Sequence, residues 1–408
     1  MKFTIIIPTR ERCDTLPYTI RTCLLQDYEP LEIIVSDNFS QDKTREVVHS
    51  FTDRRIKYIN TQERLSLAKN LEFAFSFIDK GFVTYIGDDD GMLLNAVKDT
   101  ASIIDKTKTP ALAWMKAEYG WPSHPRKEQR NKLSIPLSKS LFLYQKNKIL
   151  RDTANFWICY NRCPLLYNSF VDFEIIKKVK DKTGSFFYSL SADIYSGFAT
   201  LSVIEKYLFS LRPFTVNGAS AHSLGTAGCV CGRNSGPVKT SLGEIDIVAH
   251  EKIEAIQESV VSSVAEALFQ ANRHCFNDSI KINMKKIIRK IFIELSQRES
   301  EVYNFAVKDL MELAGKNGLK KFARMCERRY PRKPARTGSG ELGLDNRGIL
   351  TLDAQKFGVD NVYDASLLVS RILGDYCLSD KILGYSFFDK IYSRLFRLIF
   401  NSVRDKTL

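Results

Sequence analysis

The sequence predicts an α/β fold: a mainly parallel sheet flanked by helices, followed by a C-terminal helical region. Three observations lead there. In the first quarter of the chain, short apolar runs alternate with helical patterns, the mark of βαβ units and a parallel sheet. After residue 245 long segments take up helical periodicity. At 408 residues, 44% hydrophobic and 26% charged, the chain has ordinary globular composition and enough length for two or three domains.

The elements follow in order. FTIII (3–7) reads as a buried strand and DTLPYTIRTCLLQ (14–26) as a helix with Asp14 at its N-cap. LEIIVSD (31–37) is a second strand, SQDKTREVVHSF (40–51) a second helix and RIKYIN (55–60) a third strand. SLAKNLEFAFSFI (66–78) is helical again, and FVTYIG (82–87) is a fourth strand that ends on Asp88, Asp89 and Asp90. Ligands of such sheets sit beyond the carboxyl ends of the strands. Pro8, Thr9 and Arg10 follow the first strand, Asp37 and Asn38 end the second, and the three aspartates end the fourth, so all should gather along one cleft. Trp114, Tyr119 and Trp121 could offer sugar-stacking faces, with packing the default reading for aromatics after a strand.

Three adjacent carboxylates raise one another's pKa unless something positive neutralises them. A hard divalent cation, Mg2+ or Mn2+, meets that need and takes its remaining ligands from water and phosphates. As a Lewis acid it would stabilise a departing nucleotide diphosphate. The plainer account is a solvated turn or helix N-cap flanked by Gly87 and Gly91. Asp37 suits a ribose or a base edge, and Arg64 a base or phosphate. No G-x-G-x-x-G follows the first strand and no Walker lysine motif is present, which disfavours a dinucleotide cofactor and a P-loop NTPase.

Farther on, NGASAHSLGTAGCVCGRNSG (217–236) is rich in glycine and small residues and lacks periodicity, which suggests a lid. His222 is a candidate to complete a metal shell there, with Ser223, Thr226 and Arg233 over a diphosphate. The expected organisation is a catalytic domain over 1–225, a Gly-rich loop over 226–245, a basic helical domain over 246–330 broken near Gly315 to Gly318, a linker over 331–350, and a C-terminal helical segment over 351–408. Within the last, 386–406 has the spacing of a basic amphipathic helix, suited either to an anionic membrane or to packing on the helical domain or a second copy of it.

Charge and targeting narrow the class. Sixty Lys and Arg against 47 Asp and Glu leave a net +13, compatible with an anionic ligand, membrane surface or nucleic acid. Residues 276–334 carry fifteen Lys/Arg against seven Asp/Glu but no nucleic-acid reading motif, so no nucleic-acid partner is expected. The apolar run before Pro8 is too short for a signal-peptide core, and no window approaches the roughly 18 apolar residues of a membrane span. Nine cysteines without a disulfide-like rhythm fit free thiols in a cytoplasmic protein; the spacings of Cys159, Cys163, Cys229 and Cys231 are not those of zinc knuckles.

FTIIIPTRER, LEIIVSDNFSQDKT, ERLSLAKNLEFAF and VTYIGDDDGML resemble, in order, the motifs of family 2 glycosyltransferases with the GT-A fold. The resemblance is specific over residues 1 to about 100, weaker to about 225 and absent beyond. It implies a nucleotide pocket lined by Pro8, Thr9, Arg10 and Glu11, with Asp37 on the base or ribose and Arg64 close to the base. Asp89 and Asp90 would hold Mg2+ or Mn2+ and Asp88 would lie nearer the sugar-nucleotide, although which two of the three touch the metal stays open. Gly87 stands where the family usually has an aspartate.

A catalytic base is expected near 190–200, where SLSADIYSGFATL (189–201) offers Asp193, preceded by Ala192 in place of the family's glutamate. Its other reading is a first-turn partner of a helix dipole. The implied reaction is inverting transfer of a sugar from a nucleotide-diphosphate donor, UDP-sugar favoured, to a hydroxyl of a glycan or lipid-linked acceptor, in polysaccharide biosynthesis at the inner face of the cell membrane. Peripheral membrane contact through 386–406 and a homo-oligomer are further expectations. Two alternatives remain: a catalytically degenerate GT-A domain serving as a membrane or partner adaptor, and a sugar nucleotidyltransferase, which the absence of glycine in PTRERCDTLP disfavours.

Overall fold

The computed structural model describes residues 1–156, 159–223, 247–253, 256, 258–333, 342–375 and 382–384. β1 (Phe3–Thr9), β2 (Leu31–Asp37), β3 (Ile56–Asn60) and β4 (Phe82–Tyr85) are parallel, with β1 between β4 and β2. α1 (Leu16–Leu24), α2 (Thr44–His49) and α3 (Leu67–Phe75) connect them. Strand side chains alternate between faces: Phe3, Ile5, Ile7, Ile33 and Val35 join Leu16 and Ile20 of α1 in one core, while Ile6, Ile34 and Val83 join Leu71 and Phe75 of α3 in another. α3 starts where expected because the Ser66 hydroxyl accepts from the Lys69 amide. α1 does not start as expected: Thr15, not Asp14, occupies the N-cap, and Pro17 supplies the helix-start preference.

Beyond β4 come β5 (Gly91–Met92), α4 (Ala96–Thr107), β6 (Ala111–Trp114), β7 (Ala117–Gly120), β8 (Lys132–Pro136), β9 (Leu141–Gln145), α5 (Lys146–Ala154), β10 (Ser169–Asp172), α6 (Phe173–Thr183), α7 (Ala192–Leu201), β11 (Lys206–Ser210) and β12 (Thr215–Ala219). β10 inserts antiparallel between β4 and β6. β6 therefore runs the same way as β4, and its carboxyl end at Trp114 reaches the sheet edge that carries Thr9, Asp37, Asn60 and Tyr85. β9 and β11 extend the sheet on that side.

Among the described residues four helices follow, spanning 260–276, 284–295, 300–316 and 320–329, the last two separated at the expected Gly315–Gly318 break. Helix 260–276 packs on α7, while Ile287, Ile291, Phe292 and Leu310 make a core of the helical region's own.

The expected linker needs correction. Within 331–350 lies β13 (Gly343–Leu344), which turns at Asp345–Gly348 into β14 (Ile349–Asp353), and β14 pairs with β8. Asp345 Oδ1 accepts from the amides of Arg347 and Ile349, closing the turn, and Gly348 at φ +76° completes it. Helix 362–373 then buries Val362, Ala365, Val369 and Leu373 with Tyr119, Trp121 and Leu133. Residues 343–373 thus pack with the first 225 residues, as does β15 (Ile382–Gly384), which joins β9. β13, β14, β8, β7, β12 and β5, in that order, make a second sheet. The amphipathic stretch 386–406 and the loop over 226–245 lie outside the described residues.

Candidate active site

The carboxyl edge of β1 and β2 is preorganised. Thr9 pairs with Asp37 in register, and both are buried. Asp37 Oδ1 accepts from the Ser40 amide (3.0 Å), and Oδ2 from the Tyr58 hydroxyl (2.6 Å) and Asn60 Nδ2 (3.1 Å). Pro8 lies in β1 opposite Ser36, and Arg10 is half-buried just beyond the strand. Glu11, at φ +54°, accepts from the amides of Gln41 and Asp42 and from Arg64 at 2.6 Å. Glu11 and Arg64, both predicted from sequence, therefore meet each other and clamp the loop before α2.

The three aspartates take unlike environments. Asp88 Oδ1 accepts from Arg12 Nε at 3.3 Å, and the same guanidinium donates to the His222 carbonyl at 2.7 Å. Asp89 and Asp90 are 7% and 2% exposed. Asp90 accepts at Oδ2 from the Gly87 amide and at Oδ1 from the Gly218 amide, both at 2.7 Å. Asp89 accepts at Oδ2 from the Ser220 hydroxyl (2.6 Å) and amide (3.2 Å), and its carbonyl accepts from Trp121 Nε1 (3.0 Å). The turn is thus folded onto the end of β12.

Two glycines make that approach feasible. A Cβ at Gly218 would lie 1.7 Å from the Asp89 carbonyl oxygen, and one at Gly87 would lie 2.9 Å from Asp90 Oδ2 and 3.2 Å from Asp89 Oδ1. The space of the side chain missing at 87 is occupied by the two following carboxylates.

Burial first, then the charges of Asp90 and Asp88, push Asp89 up to about 8. Burial also raises Asp90, opposed by Tyr167, the two amides and Lys116. Burial thus outweighs Arg12 at Asp89, and a divalent cation would favour the ionised form. Among the described residues Asp88 Oδ2 and Asp89 Oδ1 accept no hydrogen bond, while each Asp90 oxygen accepts one from an amide and keeps a further lone pair. Two carboxylate oxygens fit a hard cation that keeps waters and takes diphosphate oxygens; among the described residues no three His, Cys, Asp or Glu side chains enclose a metal.

Lys116, just past β6, was not read from sequence. It is half-buried, and its ammonium lies 4.2 Å from the centroid of the Tyr167 ring. Burial lowers its pKa, while the charges of Asp90, Glu118, Asp193 and Cys159 raise it. Asp193, in the first turn of α7, is raised by burial, with the Ile194 amide and Lys116 opposing. Tyr85 also feels both Asp193 and Asp90. Its ring meets Tyr167 at 5.4 Å, and the Tyr167 hydroxyl donates to Asn217 Oδ1 at 2.9 Å. Asp193 and Asp90 are thus both near enough to Lys116 and Tyr85 to be felt by them.

Arg12, Lys116 and Tyr167 are the site residues that sequence reasoning missed. Arg12 had a signal in its place two residues past Arg10, and Lys116 in its place after the apolar run ALAW. Trp114, Tyr119 and Trp121 are buried, consistent with packing. A cavity of about 510 Å³ lies elsewhere, between α3, the 185–188 loop and helix 260–276. Of its lining charges, Glu72 pairs with Lys180 and Arg273 with Glu251.

Residues 4–170 match the profile of Glycosyl transferase family 2. A Campylobacter jejuni GalNAc(5)-diNAcBac-PP-undecaprenol beta-1,3-glucosyltransferase is 36% identical over 99 residues, 24% of this chain and 32% of that protein. An Escherichia coli UDP-Glc:alpha-D-GlcNAc-diphosphoundecaprenol beta-1,3-glucosyltransferase, WfgD, is 28% identical over 102 residues, 25% of this chain and 40% of that protein. The chain thus spans a third to two fifths of the length of these curated relatives. The crystal structure of S. aureus TarS 1–349 in complex with UDP-GlcNAc aligns over 81% of this chain and 91% of that one, with 15% identity and a TM-score of 0.46.

Proposed function

We infer that this chain, whose residues 4–170 belong to glycosyl transferase family 2 and carry its GT-A fold, transfers a sugar with inversion from a nucleotide-diphosphate donor, a UDP-sugar by preference, to a hydroxyl of a lipid-linked glycan. The observation that carries this reading is the juxtaposition at one sheet edge of Thr9 and Asp37, the Asp88–Asp90 turn, and Asp193 across Lys116. Asp37 would accept from the ribose or base. Asp88 and Asp89, with His222 close by, would hold Mg2+ or Mn2+. When bound, that cation would supply Lewis-acid neutralisation of the donor diphosphate.

Asp193 accepts the proton of the acceptor hydroxyl. A bond forms between the acceptor oxygen and the anomeric carbon, and the bond from that carbon to the diphosphate oxygen breaks, its electron pair leaving with the nucleotide. Lys116 keeps Asp193 ionised before the proton arrives. The relatives named above act on undecaprenol-linked substrates, which supports a lipid-linked acceptor. No described helix is long and apolar enough to cross a membrane.

The test is Asp193→Asn. Its expected outcome is unchanged donor affinity with transfer reduced by about 10²–10⁴-fold, the usual weight of a general base. Transfer at the wild-type rate would remove Asp193 from the chemistry.

A further inference from the structure

Helix 260–276 belongs to the region that sequence reading treats as an appendage, yet it carries a carboxylate that reaches the loop leading into α7. Glu266 is fully buried and, among the described residues, forms no ion pair. Its Oε2 accepts from the Ser189 hydroxyl and its Oε1 from Gln270 Nε2 at 3.0 Å. The Ser189 oxygen in turn accepts from the amide of Ser191 at 3.1 Å, and Ser191 is the N-cap residue of α7. Asp193 follows two residues later. The same two helices meet again one turn on, where the Tyr195 hydroxyl lies 3.3 Å from Cys275 Sγ, and Ala192, Tyr195 and Ala199 share a core with Leu268, Ala271 and Cys275.

A buried carboxylate without a countercharge is costly unless donors saturate it, and those donors here converge from two segments of the chain. The residue types also argue for placement rather than mere filling. The Ser191 side chain makes no capping bond to α7, so the entry of that helix is fixed through Ser189 and Glu266 instead of by a local cap.

We propose that Glu266 is a positioning residue: through Ser189 and the 189–191 loop, the helical region sets where Asp193 stands at the sheet edge. This rests on the reading of Asp193 as the base. Loss of the link leaves the donor half of the site intact, because Thr9, Asp37 and Asp88–Asp90 are held by β1, β2 and β12. It misplaces the base, and an error of about 1 Å in a reacting group costs on the order of 10²-fold in rate.

The experiment uses the full chain as wild type, Glu266→Ala, Glu266→Gln, Ser189→Ala and Asp193→Asn. Two readouts are taken: amide hydrogen exchange, and UDP release from UDP-glucose with water or a lipid-linked sugar as acceptor. In Glu266→Ala and Ser189→Ala the amides of 190–195 should exchange at least about tenfold faster while those of β1–β4 do not change. The kcat for UDP release should fall by roughly 10–100-fold with the KM for UDP-glucose within about twofold. Glu266→Gln, which keeps an oxygen for Ser189, should recover most of both.

Unchanged exchange at 190–195, or equal loosening of β1–β4, would overturn the proposal, and the exchange arm decides it without turnover. If Asp193→Asn is inactive while Glu266→Ala turns over like wild type, positioning fails and the base reading stands. If Asp193→Asn turns over like wild type, the base reading itself fails.

Discussion

Gly218→Ala probes how the aspartate turn is held. The new Cβ would lie 1.7 Å from the Asp89 carbonyl oxygen and 2.6 Å from Trp121 Nε1. The first is a backbone atom that cannot swing aside, so β12 must separate from the turn. Separation breaks the bond from the Gly218 amide to Asp90 and strains that from Trp121 to Asp89. The two buried groups so orphaned, the Gly218 amide and an Asp90 oxygen, cost about 1–3 kcal/mol each and the overpacking a similar amount, giving roughly 3–9 kcal/mol. With an unfolding entropy of about 2.1 cal/mol/K per residue, 408 residues give roughly 1.2 °C per kcal/mol, and Tm should fall by roughly 4–11 °C. Differential scanning calorimetry measures this, with nucleotide-sugar binding followed well below the transition, where the folded variant should also have lost donor affinity. A Tm within about 2 °C of wild type, with donor binding intact, would refute the packing of Gly218 against Asp89 and the role assigned to β12 in shaping the turn.

Asp89 and Lys116 carry two further predictions. Asp89 is pushed up to about 8 in the fold against about 3.9 for an unfolded chain, so between these values the folded protein holds a proton that the unfolded chain has released. Through this group the metal-free protein should lose stability as pH rises from about 4 to 8; Mn2+, competing for the same carboxylate, should raise Tm more at pH 8 than at pH 6, and equal shifts would count against Asp89 as a ligand. Lys116→Met removes a cation that lowers the Asp193 pKa, so the acidic limb of the kcat/KM profile should move to higher pH with donor affinity little changed; an unmoved limb would separate Lys116 from the base.

The central sheet was legible because β1, β2 and β4 are continuous apolar runs closed by proline or acidic residues, and their helices obey one period. The second sheet was not. β5, β7 and β12 are two to five residues long, too short for alternation to stand out, and they exist because distant partners pair with them. β13 and β14 were hidden by the proline- and glycine-rich composition just before them, although ILTLD alternates once the Asp345 turn is seen. For the site, the positions of Asp37 and Asp88–Asp90 at strand ends followed from periodicity alone. What their carboxylates touch did not, since Asp90 is held by Gly218, 128 residues away. Lys116 and Tyr167 reach the edge only because β10 is inserted antiparallel between β4 and β6. The hold of Glu266 on the loop before Asp193 likewise depends on helix–helix packing that no local pattern encodes.

Titration calorimetry of UDP-, GDP-, CMP- and TDP-sugars, with and without Mn2+ or Mg2+, on wild type, Asp88→Ala and Asp89→Ala, tests the central claim most directly. The account predicts that one nucleotide class, UDP by preference, binds only with the cation and that either substitution abolishes the cation-dependent part. Failure of every donor to bind a folded protein, or binding that neither a chelator nor the substitutions disturb, would contradict it and make Asp88–Asp90 a structural turn.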